Sequence, residues 1–137
     1  IPEALGESLA RSPLLAKEYA RLVLSFVKED ENYLEYPPLL AGALWAVARL
    51  AQDRAELLKE AEEVLLSFVD HTQGVFRALA LWGLGAVGSP TILPRLDELT
   101  TDTCPVRLYR QESFQDCTVA DVAREAQAAI FGRHGGV

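Results

Sequence analysis

At 137 residues the chain fits one domain, long enough to bury a sizeable core. Half of its residues are hydrophobic and 24% are charged, which excludes disorder, and the apolar run from Pro37 stops at Arg49, short of the roughly 18 residues of a membrane span. The net charge of −7, with no two basic residues adjacent, excludes a nucleic-acid interface, which gathers Lys and Arg into a patch.

Along the chain, Ser12-Pro13 opens a first helix over about 13–28, serine capping free amides and proline sitting where no amide hydrogen is needed. Leu15, Tyr19, Leu22, Val23 and Phe26 recur on one face of it. A polar loop, Glu29–Glu35, leads to Pro37-Pro38 and a second helix over 37–52. Asp53 is placed to cap a third over 54–70, with Leu57, Leu58, Ala61, Val64, Leu65 and Phe68 on one face. Glu56, Lys59, Glu60 and Glu63 form its other face, where Lys59 reaches Glu56 and Glu63. Gln73-Gly74 breaks the chain before a fourth helix, 75–87. Gly88-Ser89-Pro90 ends that helix and caps a fifth over 90–100. Helices two and four are apolar nearly all round and should be buried, whereas three and five are amphipathic. Within 105–118, Val106 and Leu108 alternate with Arg107 and Tyr109, which predicts a β-hairpin or extended insertion turning at Gln111–Ser113. Thr118 caps a last helix over 119–131, ended by Gly132 and a glycine-rich tail.

Two self-similarities organise these elements. LVLSFVKED at Leu22–Asp30 matches VLLSFVD at Val64–Asp70, an offset of 42, and ALWAVARLA at Ala43–Ala51 matches ALWGLGAVG at Ala80–Gly88, an offset of 37. Periods near 40 mark stacked helical hairpins. FRALALWGLGAVG, from Phe76 to Gly88, resembles the first-helix consensus of PBS-lyase-type HEAT-like repeats, VRxxAAxALGxIG, with Arg77, Ala80, Leu84, Gly85, Val87 and Gly88 on matching positions. The second helix has Leu40 and Ala48 in place of the arginine and first glycine. The last keeps Val119, Ala123, Ala126 and Ile130 but lacks the glycine pair. The resemblance spans Pro37–Phe131, with Ser12–Asp30 as a partial leading repeat. It implies an all-α, α-α superhelix of HEAT-like hairpins in one domain over 1–137. Because the namesake family attaches or removes bilin chromophores on phycobiliproteins, it also implies a bilin lyase subunit or chromophore chaperone as an alternative role.

The resemblance casts Arg77 as a structural arginine that pairs with an acidic residue or loop carbonyls. Trp45 and Trp82 occupy equivalent repeat positions. They either line one surface as an aromatic ladder of the kind that anchors partners, or fill the core between layers. The acidic runs Glu29-Asp30-Glu31 and Glu60–Glu63 read as solvated faces; calcium would need a glycine turn that neither has. His71 suits the negative end of a helix. Cys104 and Cys117 flank the hairpin, as a disulfide or as two reduced residues. There is no P-loop, GxGxxG or HExxH. The expected function is a non-catalytic scaffold that binds another protein, without cofactor, metal, nucleic acid or membrane, and cytoplasmic. A regulatory segment of a larger multidomain protein is a further alternative, suited by the absence of methionine, and the oligomeric state stays open, with 105–118 as an end cap or dimer contact. Helices one, three and five are expected to line a groove, with Glu18, Tyr19, Glu60, Arg95 and Glu98 beside Trp45 and Trp82 as candidate contacts.

Overall fold

In a computed structural model of the chain, residues 13–29, 31–58 and 60–134 are described. The Ser12 cap, Asp30, Lys59 with its pairings, and the tail beyond His134 lie outside them. The chain is mostly helical with one small antiparallel sheet. The helices are α1 (Pro13–Ser25), α2 (Pro37–Arg54), α3 (Ala61–Leu66), α4 (Gly74–Val87), α5 (Leu93–Asp97) and α6 (Val119–His134). Between α5 and α6, β1 (Pro105–Arg110) pairs with β2 (Ser113–Thr118), Arg110 opposite Ser113 and Pro105 opposite Thr118.

Several boundaries depart from the sequence reading for identifiable reasons. Asp53 caps nothing: it lies inside α2 and accepts a hydrogen bond from Arg49 at 2.9 Å. The third helix is accordingly broken into a 3-10 turn, Ala55–Leu58, and the short α3. Leu58, Ala61 and Leu65 are fully buried all the same, so burial overrides helical continuity here. The first helix ends at Ser25 rather than 28. The fifth is a short α5 between two 3-10 turns, Pro90–Ile92 and Glu98–Thr101. Ser89 does not cap it; its amide and hydroxyl instead both donate to Glu62, at 2.6 and 2.9 Å. Thr118 does cap α6, in a reciprocal box: Asp121 N–H donates to Thr118 Oγ1 and Thr118 N–H to Asp121 Oδ2. That helix runs past Gly132, because Arg133 in its last turn donates to the carbonyls of Gly85 and Gly88.

α4 lies between α2 and α6, and α1 packs on the far side of α2. α3 leans on α4 and α5 on α6. Small residues set these spacings. A Cβ on Gly83 would lie 3.4 Å from the backbone of Ala48 on α2, and one on Gly85 would lie 3.3 Å from the backbone of Ala126 on α6. α4 therefore meets a small residue on each flank, and the core leucines (Leu44, Leu50, Leu81 and Leu84 among them) close around it. Each fully buried leucine is worth about 2 kcal/mol of transfer free energy before entropy is charged. The two SFV segments share one local structure. The Ser25 and Ser67 hydroxyls each donate to the carbonyl three residues back, and the next two amides do the same. Arg77 pairs with Asp102 at 2.8 Å and with the His71 carbonyl at 2.7 Å, joining the start of α4 to the loop before β1.

Candidate binding surface

The hairpin lies against α4 through β1 and against α6 through β2. Alternation decides its faces: Val106 and Leu108 are buried, while Arg107 and Tyr109 point outward. Its loop has two residues, Gln111 and Glu112, both with left-handed backbone (φ 54° and 64°), the twist a tight hairpin requires although neither is glycine. Long-range anchoring holds it there. Trp45 Nε1 donates to the Tyr109 carbonyl at 2.7 Å, and the base of the sheet continues into the Val119 N–H to Cys104 carbonyl bond.

Trp45 is 6% exposed. Its ring lies 6.0 Å from that of Trp82 and 6.2 Å from that of Tyr109, which in turn meets Phe114 at 5.1 Å. The repeat-equivalent tryptophans are thus adjacent, and the aromatic series continues through the hairpin to Phe114, which is 64% exposed. Trp45 takes the core reading and Trp82 is half-buried, so an exposed tryptophan ladder is not formed.

On either side of the hairpin opens a cleft. The first, about 600 Å³, runs between α2, α4, the hairpin tip and α6. Both of its arginines are paired within it. Arg110 sits over the Trp82 ring at 5.9 Å, donates to Glu125 at 2.7 Å and to Gln115 at 3.0 Å, and is 11% exposed; Arg49 is held by Asp53. Arg110 Nε is buried without an acceptor. The Cys117 thiol beside this cluster is pushed up from its ordinary value by burial, against the pull of Arg110. The second cleft, about 510 Å³, lies between the N-terminal half of α2, the start of α4 and β1. Pro38, Ala41, Trp45, Val75, Leu79 and Leu108 make it apolar, and among the described residues Arg107 is the one charged residue lining it.

Neither cleft is lined by Glu18, Tyr19, Glu60, Arg95 or Glu98. Both follow α2, α4, the hairpin and, in the first, α6, rather than the first, third and fifth helices. Tyr19 is not a rim residue: it is 8% exposed, on the buried face with Ala20, Val23 and Leu24. Glu18 and Glu60 are exposed. Arg95 is tied by ion pairs to Asp70 and Glu98. Glu31 pairs with Lys28 and Glu62 holds Ser89, so the acidic runs are partly spent on structure. His71 packs its ring on Phe76 at 4.3 Å and accepts from the Gln73 amide at 3.0 Å, a packing role rather than one at a helix dipole. Cys104 and Cys117 are free thiols. Among the described residues no three His, Cys, Asp or Glu side chains converge as a metal site, and no helix is long and apolar enough to cross a membrane.

The residues missed from sequence are Arg110, Tyr109 and Phe114. The period-two pattern already turned Tyr109 outward, but nothing local marked Arg110 as the charge that would fold back onto Trp82. No family of known proteins, no curated protein and no solved structure matches the chain.

Proposed function

We propose that the chain is a HEAT-like repeat scaffold, a short α-α superhelix that binds another protein across the surface divided by the hairpin. Three observations support the repeat reading: α2, α4 and α6 lie side by side in chain order, Trp45 and Trp82 touch, and the two SFV turns share their hydrogen bonds. The binding reading is carried by one feature, the exposed aromatic edge of Tyr109 and Phe114 beside an apolar cleft of about 510 Å³. Exposed contiguous apolar surface next to a concavity is what partner sites look like.

The test is capture from the native source with the tagged chain as bait, followed by reconstitution from purified components. A protein that forms a stoichiometric complex with the chain, and loses affinity at least tenfold when Tyr109 and Phe114 are both changed to Ala, supports the reading. If no captured protein reconstitutes, or the double change leaves its affinity untouched, the scaffold surface is wrong.

A further inference from the structure

The backbone of β1 offers more than an apolar wall. In an antiparallel pair closed by a two-residue loop, the flanking pair is hydrogen-bonded and the pairs then alternate. Arg110 and Ser113 flank the loop. Tyr109 and Arg107 therefore direct both their N–H and C=O groups away from β2, toward the apolar cleft. Two bonds agree with this phase. The Tyr109 carbonyl meets the Trp45 indole on that side, and Thr118, in the same phase on β2, turns its amide outward to Asp121. Trp45 occupies one of these edge groups. The Tyr109 amide and both backbone groups of Arg107 have no partner among the described residues. An unpaired strand edge is a template for another strand.

We infer that β1 accepts an extended segment of the partner protein as a third strand, with an acidic residue of that segment opposite Arg107 and an aliphatic residue next to it entering the apolar cleft. The inference rests on the partner-binding reading above and specifies the chemistry of what is bound. The side-chain order follows from alternation across the strand. A residue opposite Arg107 or Tyr109 lies on the outer face with them. The residue between those two lies over Leu108, on the side of Val75 and Leu79. Charge chooses the acid. On a chain of net charge −7, this cleft carries a single cation among the described residues, Arg107, whose side chain is 68% exposed and only loosely matched by Asp116 at 3.7 Å, itself 85% exposed. The same guanidinium lies 5.1 Å from the Phe114 ring, which holds it at the mouth of the cleft. The other cleft has its arginines already paired, and Gln52, Gln111, Glu112 and Gln115 share its lining with Leu81, Val122 and Ala126.

A fluorescein-labelled peptide of sequence TVELTVT, blocked at both ends, is titrated against the whole chain by anisotropy. Saturable binding is expected, at least tenfold weaker for Arg107→Glu and at least tenfold weaker for the TVKLTVT peptide. The lysine peptide should regain affinity for Arg107→Glu. N-methylation of the alternate peptide amides that face the strand should abolish binding while leaving side chains intact. Ala41→Phe, which fills the cleft from α2, should also abolish it, with the circular dichroism melt confirming that each variant folds. Absence of saturation for the wild-type chain at millimolar concentration, indifference to the charge swap, or full binding of the N-methylated peptide each overturns strand addition. So does a self-associated dimer, seen by sedimentation, that the peptide displaces. A captured partner that still reconstitutes with Ala41→Phe removes this site and leaves the scaffold reading standing. Peptide binding of the expected pattern, with no reconstituting partner, does the reverse.

Discussion

Replacing Trp45 with Phe isolates the contact that fixes the hairpin to the helices. The change removes the indole N–H that lies 2.7 Å from the Tyr109 carbonyl and leaves that acceptor without its donor, at a cost of about 1–3 kcal/mol. It also trades a 6% exposed indole for a smaller ring. Full truncation of a buried tryptophan costs about 3–5 kcal/mol, so keeping a six-membered ring in place limits the packing loss to about 1 kcal/mol. The expected total is about 2–4 kcal/mol, close to a 1–2 M fall in the urea midpoint for a domain of this size. Trp82→Phe is the control, because Trp82 is half-buried and its indole N–H meets no acceptor among the described residues. It should cost about 1 kcal/mol or less, as a partly exposed ring gives up less burial. Amide exchange adds a spatial readout. In Trp45→Phe the amides of 105–118 should exchange faster while those of α4 keep their order relative to one another. Equal costs for the two tryptophan changes, or unchanged hairpin protection in Trp45→Phe, would refute the anchoring role.

Four further outcomes follow from the same geometry. Trp82→Phe, which leaves Trp45 as the sole tryptophan, should give blue-shifted emission resistant to acrylamide, and Trp45→Phe should give redder, more quenchable emission, since only Trp45 is closed off from solvent. Gly88→Ala should destabilise by about 1–3 kcal/mol in urea titration, because its Cβ would lie 2.6 Å from the Leu84 carbonyl, 2.7 Å from Ile92 and 2.9 Å from Ile130. Glu112→Gly should raise the melting temperature by a few degrees, relieving about 1 kcal/mol of left-handed backbone cost at φ 64°. The Asp121 carboxyl is held below its ordinary 3.8 by the Thr118 amide and hydroxyl. Its contribution is therefore complete above pH 3.8 and lost as pH falls through the lower folded value, so the stability advantage of wild type over Asp121→Asn should shrink progressively as pH falls below 3.8.

What could be read from the chain alone was what local pattern controls. Pro37-Pro38, the Thr118 cap and the alternation at 106–109 each act within a few residues, and each appears in the structure where the sequence put it. Arg77 was read through its repeat position and meets both an acid and loop carbonyls. The misplaced boundaries have non-local causes. The break at 55–60 depends on Asp53 answering Arg49 and on where Leu58 and Leu65 find cover. The extension of α6 depends on Arg133 reaching carbonyls more than forty positions earlier. The candidate site was least legible for the same reason. Tyr109 and Trp45 are 64 residues apart, and the fall of Arg110 onto Trp82 joins two elements whose patterns carry no sign of each other.

The placement of the hairpin explains why the two clefts lie elsewhere than the groove expected from the repeat pattern. Reading the chain as a helical stack places the groove on the second helix of each hairpin, here the first, third and fifth. In this chain the third and fifth are short and interrupted by 3-10 turns, and Arg95 is bound up with Asp70 and Glu98. The helices read as core, α2 and α4, are buried as expected, and the two-stranded insertion packs on α4 and is tied to α2 through Trp45 without covering them fully. Partial cover is what creates the clefts. Where the hairpin is closed by Arg110, Glu125 and Gln115 the arginines are already paired. Where β1 faces α2 it is apolar and, among the described residues, has a single cation at its mouth and backbone groups without partners. On the proposed scaffold reading, recognition then lies in residues 105–118, and exchanging that hairpin for another on the same inner helices should change the partner bound.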